Sequence, residues 1–146
     1  MPKQPSDKPL RPLWWNETAG SHGALELIDQ TRLPGECVTL TCTTIQLVWD
    51  AIKRLSVRGA PAIGCAAAYG VIVGLDEAKP GDATWLEALK KNCDHLATSR
   101  PTAVNLFWAL DRMRRKGESL AGKTWRDART ALLAEAHAIR DQDAAM

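Results

Sequence analysis

An arginine and a glycine set directly against the start of an all-apolar helix can hold an anion. The chain carries that arrangement at Val57-Arg58-Gly59-Ala60-Pro61-Ala62-Ile63-Gly64. Proline is favoured in a first helical turn, where its missing N–H has no intrahelical partner to lose. Pro61 near the first helical position therefore puts Gly59 and Ala60 at the helix start with their amides outward. Free N–H groups and the helix dipole attract a phosphate or carboxylate there, and Arg58 adds a planar, permanently charged fork. The other reading of Arg58-Gly59 is a plain connection between two helices, with the arginine paired to a surface carboxylate. Thr98-Ser99-Arg100-Pro101-Thr102 repeats the design, with Arg100 just before a proline that can open the next helix. Two such starts in a small domain could address one anion.

The elements that must position these residues follow from the hydrophobic period. Leu13 to Asn16, Ala24 to Gln30 and Cys37 to Cys42 read as three short strands. The connections between them are short, with Gly20 and Gly23 in one and Pro34-Gly35 in the other, which favours an antiparallel meander. Leu25, Leu27, Val38 and Leu40 form the expected buried face. At Thr43 the period changes to 3.6, with Thr43 and Gln46 spaced as a capping box and Ile45, Val48, Trp49, Ile52 and Leu55 on one side.

Pro61 to about Leu75 is the second helix. It is uncharged from Ala62 to Gly74, so it must be buried on every side, and Gly64, Gly70, Gly74 and Ala66 to Ala68 invite close approach. Thr84 and Glu87 form another box before a third helix whose buried face is Leu86, Leu89, Cys93 and Leu96. A fourth helix runs through Val104, Phe107 and Trp108 to about Met113, with Arg112, Arg114, Arg115 and Lys116 as a solvated C-terminal turn. Thr124 and Asp127 open the last, with Trp125, Ala128, Leu132, Ala136 and Ile139 inward. The expected fold is α+β: a three-stranded antiparallel sheet followed by a bundle of about five helices. Residues 1–12, polar and proline-punctuated, are expected to be a mobile tail.

The 146 residues are 45% hydrophobic and 25% charged, enough for one domain with a real core. A formal charge of +2 does not point to nucleic acid, and no uncharged run is long enough to span a bilayer. The amino terminus lacks the apolar core of a signal peptide, so the expected location is cytoplasmic. Cys37 and Cys42, an odd number apart on a strand, point to opposite faces, and Cys65 and Cys93 have no ligand-spaced partner. Reduced, mostly buried thiols are expected. His22, His95 and His137 stand singly, and no metal motif is visible. Gly59 and Gly64 have the glycine spacing of a phosphate-binding Walker loop, but Cys65-Ala66 stands where lysine and a hydroxyl are required. Trp49, Trp85, Trp108 and Trp125 fall in helices and read as core. These residues reach a binding half-site for a small phosphorylated or carboxylated compound, and no reaction.

The strings Val57 to Gly64, Ala66-Ala67-Ala68-Tyr69-Gly70 and Ser99-Arg100-Pro101-Thr102-Ala103-Val104-Asn105-Leu106 closely resemble the N-terminal half of the methylthioribose-1-phosphate isomerase family. Leu27 to Pro34 and Ala136 to Asp143 are similar to it as well, so the resemblance runs from about residue 12 to the end. The wider superfamily includes regulatory subunits of translation initiation factor two-B and a ribose-1,5-bisphosphate isomerase. The full Arg-Gly-Ala-Pro-Ala-Ile-Gly string favours the methionine-salvage isomerase among them. The resemblance implies an aldose–ketose isomerase acting on a sugar phosphate without metal or organic cofactor, in a homodimer. It makes Arg58, Gly59, Ala60 and Arg100 substrate-binding positions. It assigns the catalytic cysteine and aspartate to a C-terminal nucleotide-fold-like domain after Met146, so residues 13–146 are expected to be an N-terminal domain with no catalytic residue of their own. Cys65 and Cys93 match no catalytic motif. The family's burial of this domain against a larger one further implies an exposed apolar patch. A non-catalytic regulatory domain is the alternative.

Overall fold

The computed structural model describes residues 13–19, 22–29, 31, 35–54 and 60–144. The expected tail at residues 1–12 lies outside them, as does Leu55. Three strands open the described chain: β1 (Leu13–Asn16), β2 (Ala24–Ile28) and β3 (Thr39–Cys42), in the order β1-β2-β3. Both pairings are antiparallel, with Leu13 opposite Leu27 and Leu25 opposite Cys42. The period of two sends Leu13, Leu25, Leu27 and Cys42 into the core. On the other face Glu26 accepts from the Trp14 indole at 3.0 Å and from the Thr41 hydroxyl at 2.9 Å, a polar tie across all three strands. Gly23 is required twice in the first connection. Its φ is +96°, and a Cβ there would meet the Trp15 ring at 2.9 Å. β3 is shorter than the expected Cys37–Cys42, and Val38 and Leu40 are half-buried rather than fully inward. Asp29 begins the connection to it by accepting from the Thr31 amide and hydroxyl, so the ladder restarts only at Thr39.

Five helices follow: α1 (Ile45–Lys53), α2 (Ala60–Ala78), α3 (Trp85–Ala97), α4 (Val104–Ser119) and α5 (Trp125–Ala144). The expected α+β architecture is the observed one. Thr44, not Thr43, caps α1, accepting from the Leu47 amide at 3.2 Å. The Thr84–Glu87 box does not form either. The Thr84 hydroxyl turns back to accept from the Gly81 amide at 2.9 Å, leaving α3 without a side-chain cap.

α2 is the axis of the bundle, buried continuously from Ile63 to Asp76. Its small residues let neighbours in. A Cβ on Gly70 would lie 2.7 Å from Val48 Cγ1 and 3.1 Å from Leu96 Cδ1, and one on Gly74 would meet Asn92 and Ile45. These pairs also fix direction: advancing along α2 from Gly70 to Gly74 runs backwards along both α1 and α3. α5 is likewise antiparallel to α2, joined to it by Tyr69–His137 near one end and Asp76–Arg129 near the other. α3 and α4 are antiparallel, through Cys93–Leu110 and Leu89–Gly117. α4 therefore runs in the same sense as α2, and their N-termini share one end of the bundle.

Asp76 is the one charge in the buried stretch of α2, and it is 8% exposed. Arg129 meets it with two bonds of 2.7 and 2.8 Å and donates a third to the His22 carbonyl. None of the four cysteines forms a disulfide; Cys42, Cys65 and Cys93 are buried, and Cys37, which lies outside β3 rather than on it as expected, is exposed.

Candidate functional site

Ala60 is the first residue of α2 and Pro61 the second, which leaves the first-turn amides without intrahelical acceptors. No acidic residue lies in that first turn. Arg58 and Gly59 fall outside the described residues. One turn in, a Cβ on Gly64 would stand 3.1 Å from the Asn105 carbonyl oxygen and 3.4 Å from Ala109 Cβ. Close backbone approach at Gly64 is what holds the starts of α2 and α4 together.

Arg100 sits half-buried in the turn between α3 and α4, where its carbonyl accepts from the Ala103 amide at 3.0 Å. Its guanidinium makes no hydrogen bond or ion pair among the described residues. Ala103 is the N-cap of α4 and supplies no side-chain acceptor, so this helix start has no side-chain cap. Pro101 was expected to open α4; it lies two residues before the cap instead, because the Thr98–Thr102 turn comes first. Thr98 anchors that turn, accepting from the Trp49 indole at 3.0 Å and donating to the His95 carbonyl. Buried Ser99 donates to the Leu96 carbonyl. The backbone that presents Arg100 is thus held from α1 and α3, while its side chain stays uncommitted.

Neither Cys42 nor Cys93 is poised as a nucleophile. Burial pushes the Cys42 thiol up to about 11 and the Cys93 thiol up to about 12.

Two expectations about α4 are corrected. The inward face is Leu106, Ala109, Leu110, Met113 and Gly117, whereas Val104, Phe107 and Trp108 point out. The basic run is not a solvated C-terminal turn, since α4 continues to Ser119. Arg112 bonds Glu135 and Gln142 of α5, and Arg115 pairs with Asp111.

A polar cluster absent from the sequence reading lies where β1, α2 and α5 meet. The Tyr69 hydroxyl shares a hydrogen bond of 2.6 Å with His137 Nδ1, and Arg140 Nη1 approaches both at 3.3 and 3.2 Å. Trp15 stacks on the Tyr69 ring with centroids 5.3 Å apart. Burial pushes the phenol up to about 12. Burial first, and then the Arg140 charge, hold the imidazole below its ordinary value. A signal existed: Tyr69 is the only tyrosine, inside an apolar run, and a buried hydroxyl needs a partner. Its partner is 68 positions away, beyond any local pattern.

The fold agrees with the relationships of the chain. It belongs to the Initiation factor 2 subunit family, which matches residues 56–146. Within that family the chain is similar to a protein of Moorella thermoacetica named 5-deoxyribose 1-phosphate isomerase, 46% identical over 95% of this chain and 38% of the relative. A Rhodopirellula baltica protein named methylthioribose-1-phosphate isomerase is 50% identical over 87% of this chain and 36% of its own length. Among solved structures, translation initiation factor eIF-2B subunit delta from A. fulgidus superposes with a TM-score of 0.82 at 36% identity, over 92% of this chain and 37% of that one. The 5-methylthioribose 1-phosphate isomerase from Pyrococcus horikoshii gives 0.82 at 32%, over 90% and 36%. The chain therefore spans a little over a third of the relatives it matches.

Proposed function

We propose that this domain supplies the phosphate-holding part of an aldose–ketose isomerase whose substrate is a ribose 1-phosphate with a hydrogen or a methylthio group at carbon five. The observation that carries this reading is the placing of two helix starts at one end of the bundle, that of α4 without a side-chain cap, with the uncommitted Arg100 between α3 and α4. Oriented amides and a guanidinium suit a phosphate dianion. The substrate class comes from the isomerases that this chain resembles at 46% and 50% identity.

In this reading Arg58, Gly59, Ala60 and Arg100 grip the phosphate and hold the sugar still while the proton moves between carbons one and two. The groups that move it come from outside residues 13–146, with a cytoplasmic homodimer as the working form and no cofactor. Cys42 and Cys93 stay out of the chemistry because burial disfavours their thiolates. A regulatory subunit is the second reading, favoured by the A. fulgidus structure, which the fold matches as well as it matches the isomerase.

Isothermal titration with 5-deoxyribose 1-phosphate and methylthioribose 1-phosphate tests the site. A charge-assisted contact is worth roughly 1.5–3 kcal/mol, so Arg100→Ala should weaken binding at least about tenfold with the melting temperature unchanged. Arg100→Lys should recover only part, lacking the bidentate fork. Unchanged affinity with a lowered melting temperature would make Arg100 a structural tie and end the proposal.

A further inference from the structure

The helical spacing of Trp49 reads as core, yet the residue is half-buried and its indole N–H is given to the Thr98 hydroxyl, 3.0 Å away. The ring lies along His95, with centroids 6.0 Å apart and planes 20° from parallel. One turn earlier, His95 Nε2 meets the Gln46 side-chain oxygen at 3.1 Å. Because α1 and α3 both run opposite to α2, they share one sense, and these two ties on successive turns hold them in register.

What the later tie holds is the turn that carries Arg100. Inside that turn the bonds are local. The Thr98 and Ser99 amides donate to the His95 and Leu96 carbonyls, and both hydroxyls return to the same two carbonyls. Beyond Ser99, the Ala103 amide reaches the Arg100 carbonyl. Among the described residues, the Trp49 indole is the sole hydrogen-bond donor from outside α3 and α4 that reaches residues 98–103. α1 is also the helix that leads into α2, ending at Lys53 before α2 begins at Ala60. One helix is therefore joined by the chain to the start of α2 and by Trp49 to the turn before α4. Thr98 is exposed, so water can replace the indole at little cost to folding. What the bond fixes is where the turn stands.

We propose that Trp49 is a positioning residue of the anion site: its indole N–H, fastened to the Thr98 hydroxyl, sets the separation between the start of α2 and Arg100, and so how closely the two arms approach one phosphate. The inference rests on the phosphate-holding role proposed above and names what aligns it. An arginine on a turn already held in place loses less entropy on binding than one on a turn that must first be ordered.

Trp49→Phe keeps a ring on His95 and removes the donor. Amide hydrogen exchange of the 146-residue chain, followed by NMR, should then quicken about fivefold at Ala103, with the Cys93 amide inside α3 unchanged. Titration with 5-deoxyribose 1-phosphate should show affinity lowered about fivefold, the factor for one neutral hydrogen bond, at an unchanged melting temperature. In an Arg100→Ala background Trp49→Phe should cost nothing further, because the side chain it positions is gone. Thr98→Val should act as Trp49→Phe does, and Thr98→Ser, which keeps the hydroxyl, should restore most of the affinity. An equal loss with and without the Arg100 side chain overturns the proposal, since Trp49 would then act on the fold at large. So does intact affinity in Trp49→Phe, or unchanged exchange at Ala103, while Arg100→Ala still weakens binding; either result leaves the phosphate site standing. No binding by the parent chain, or no loss of it in Arg100→Ala, overturns the phosphate site and the positioning role with it, whatever the exchange shows.

Discussion

α2 and α4 begin at the same end of the bundle and run in the same sense, yet they are built oppositely. α2 is packed on every side and gives up side-chain volume to its neighbours at Gly64, Gly70 and Gly74. α4 commits one face to the core and leaves the other in water. A helix start whose helix is gripped all round has no freedom to shift. One whose helix is gripped on one face relies on its preceding turn, which is why Thr98 and Ser99 are tied down. The fixed start suits a binding site.

The sharpest way to break this contrast is to crowd α2. In Gly70→Val the new methyl groups would meet Val48, which is itself β-branched and confined to one rotamer in its helix. Overpacking of this kind should cost about 3 kcal/mol and lower the melting temperature by roughly 10 °C, read by calorimetry. Arg129→Met comes close behind. It strands the buried Asp76 carboxylate, at about 3 kcal/mol in urea denaturation, whereas Met at Arg129 together with Asp76→Leu should recover much of the loss.

His137 gives a smaller, pH-dependent effect. Its folded value lies below its ordinary one, so the unfolded chain binds the proton more readily between the two. Stability is therefore full above about pH 6.5 and falls as pH drops from there towards the folded value. Thermal melts of the chain and of His137→Gln across that window should show the slope in the first and its loss in the second. On the outer face of α4, Phe107→Ser should stay within about 0.5 kcal/mol of the parent, the ordinary range for exposed positions.

The contrast also explains what the sequence could reveal. α2 was legible because thirteen residues without charge, headed by a proline, admit one environment. α4 was not, because it carries two apolar stripes. Positions 104, 107 and 108 and positions 106, 109, 110 and 113 both follow helical spacing, and the stripes lie nearly opposite each other around the axis. Which stripe is inside depends on the register against Gly64 and Leu89, information held in other helices. The helix end was misjudged for a related reason. Arg112 to Lys116 looks like a terminal turn until Glu135 and Gln142 are brought beside it from α5. For the candidate site, the two helices and their prolines were readable, and the crossing at Gly64 that brings the starts of α2 and α4 together was not.

The directions of the five helices carry a consequence for the electric field at the proposed binding end. α2 and α4 present their N-termini there, while α1, α3 and α5, running the other way, end there with their carbonyls. With about half an elementary charge of either sign at each terminus, two positive ends are outnumbered by three negative ones, and the helix dipoles summed over the bundle offer a distant anion no attraction. Whatever draws a phosphate to this end must act at contact range, through the individual amides of the two first turns and the guanidinium of Arg100. Capture would then depend little on long-range steering, and the association rate should change only modestly with ionic strength.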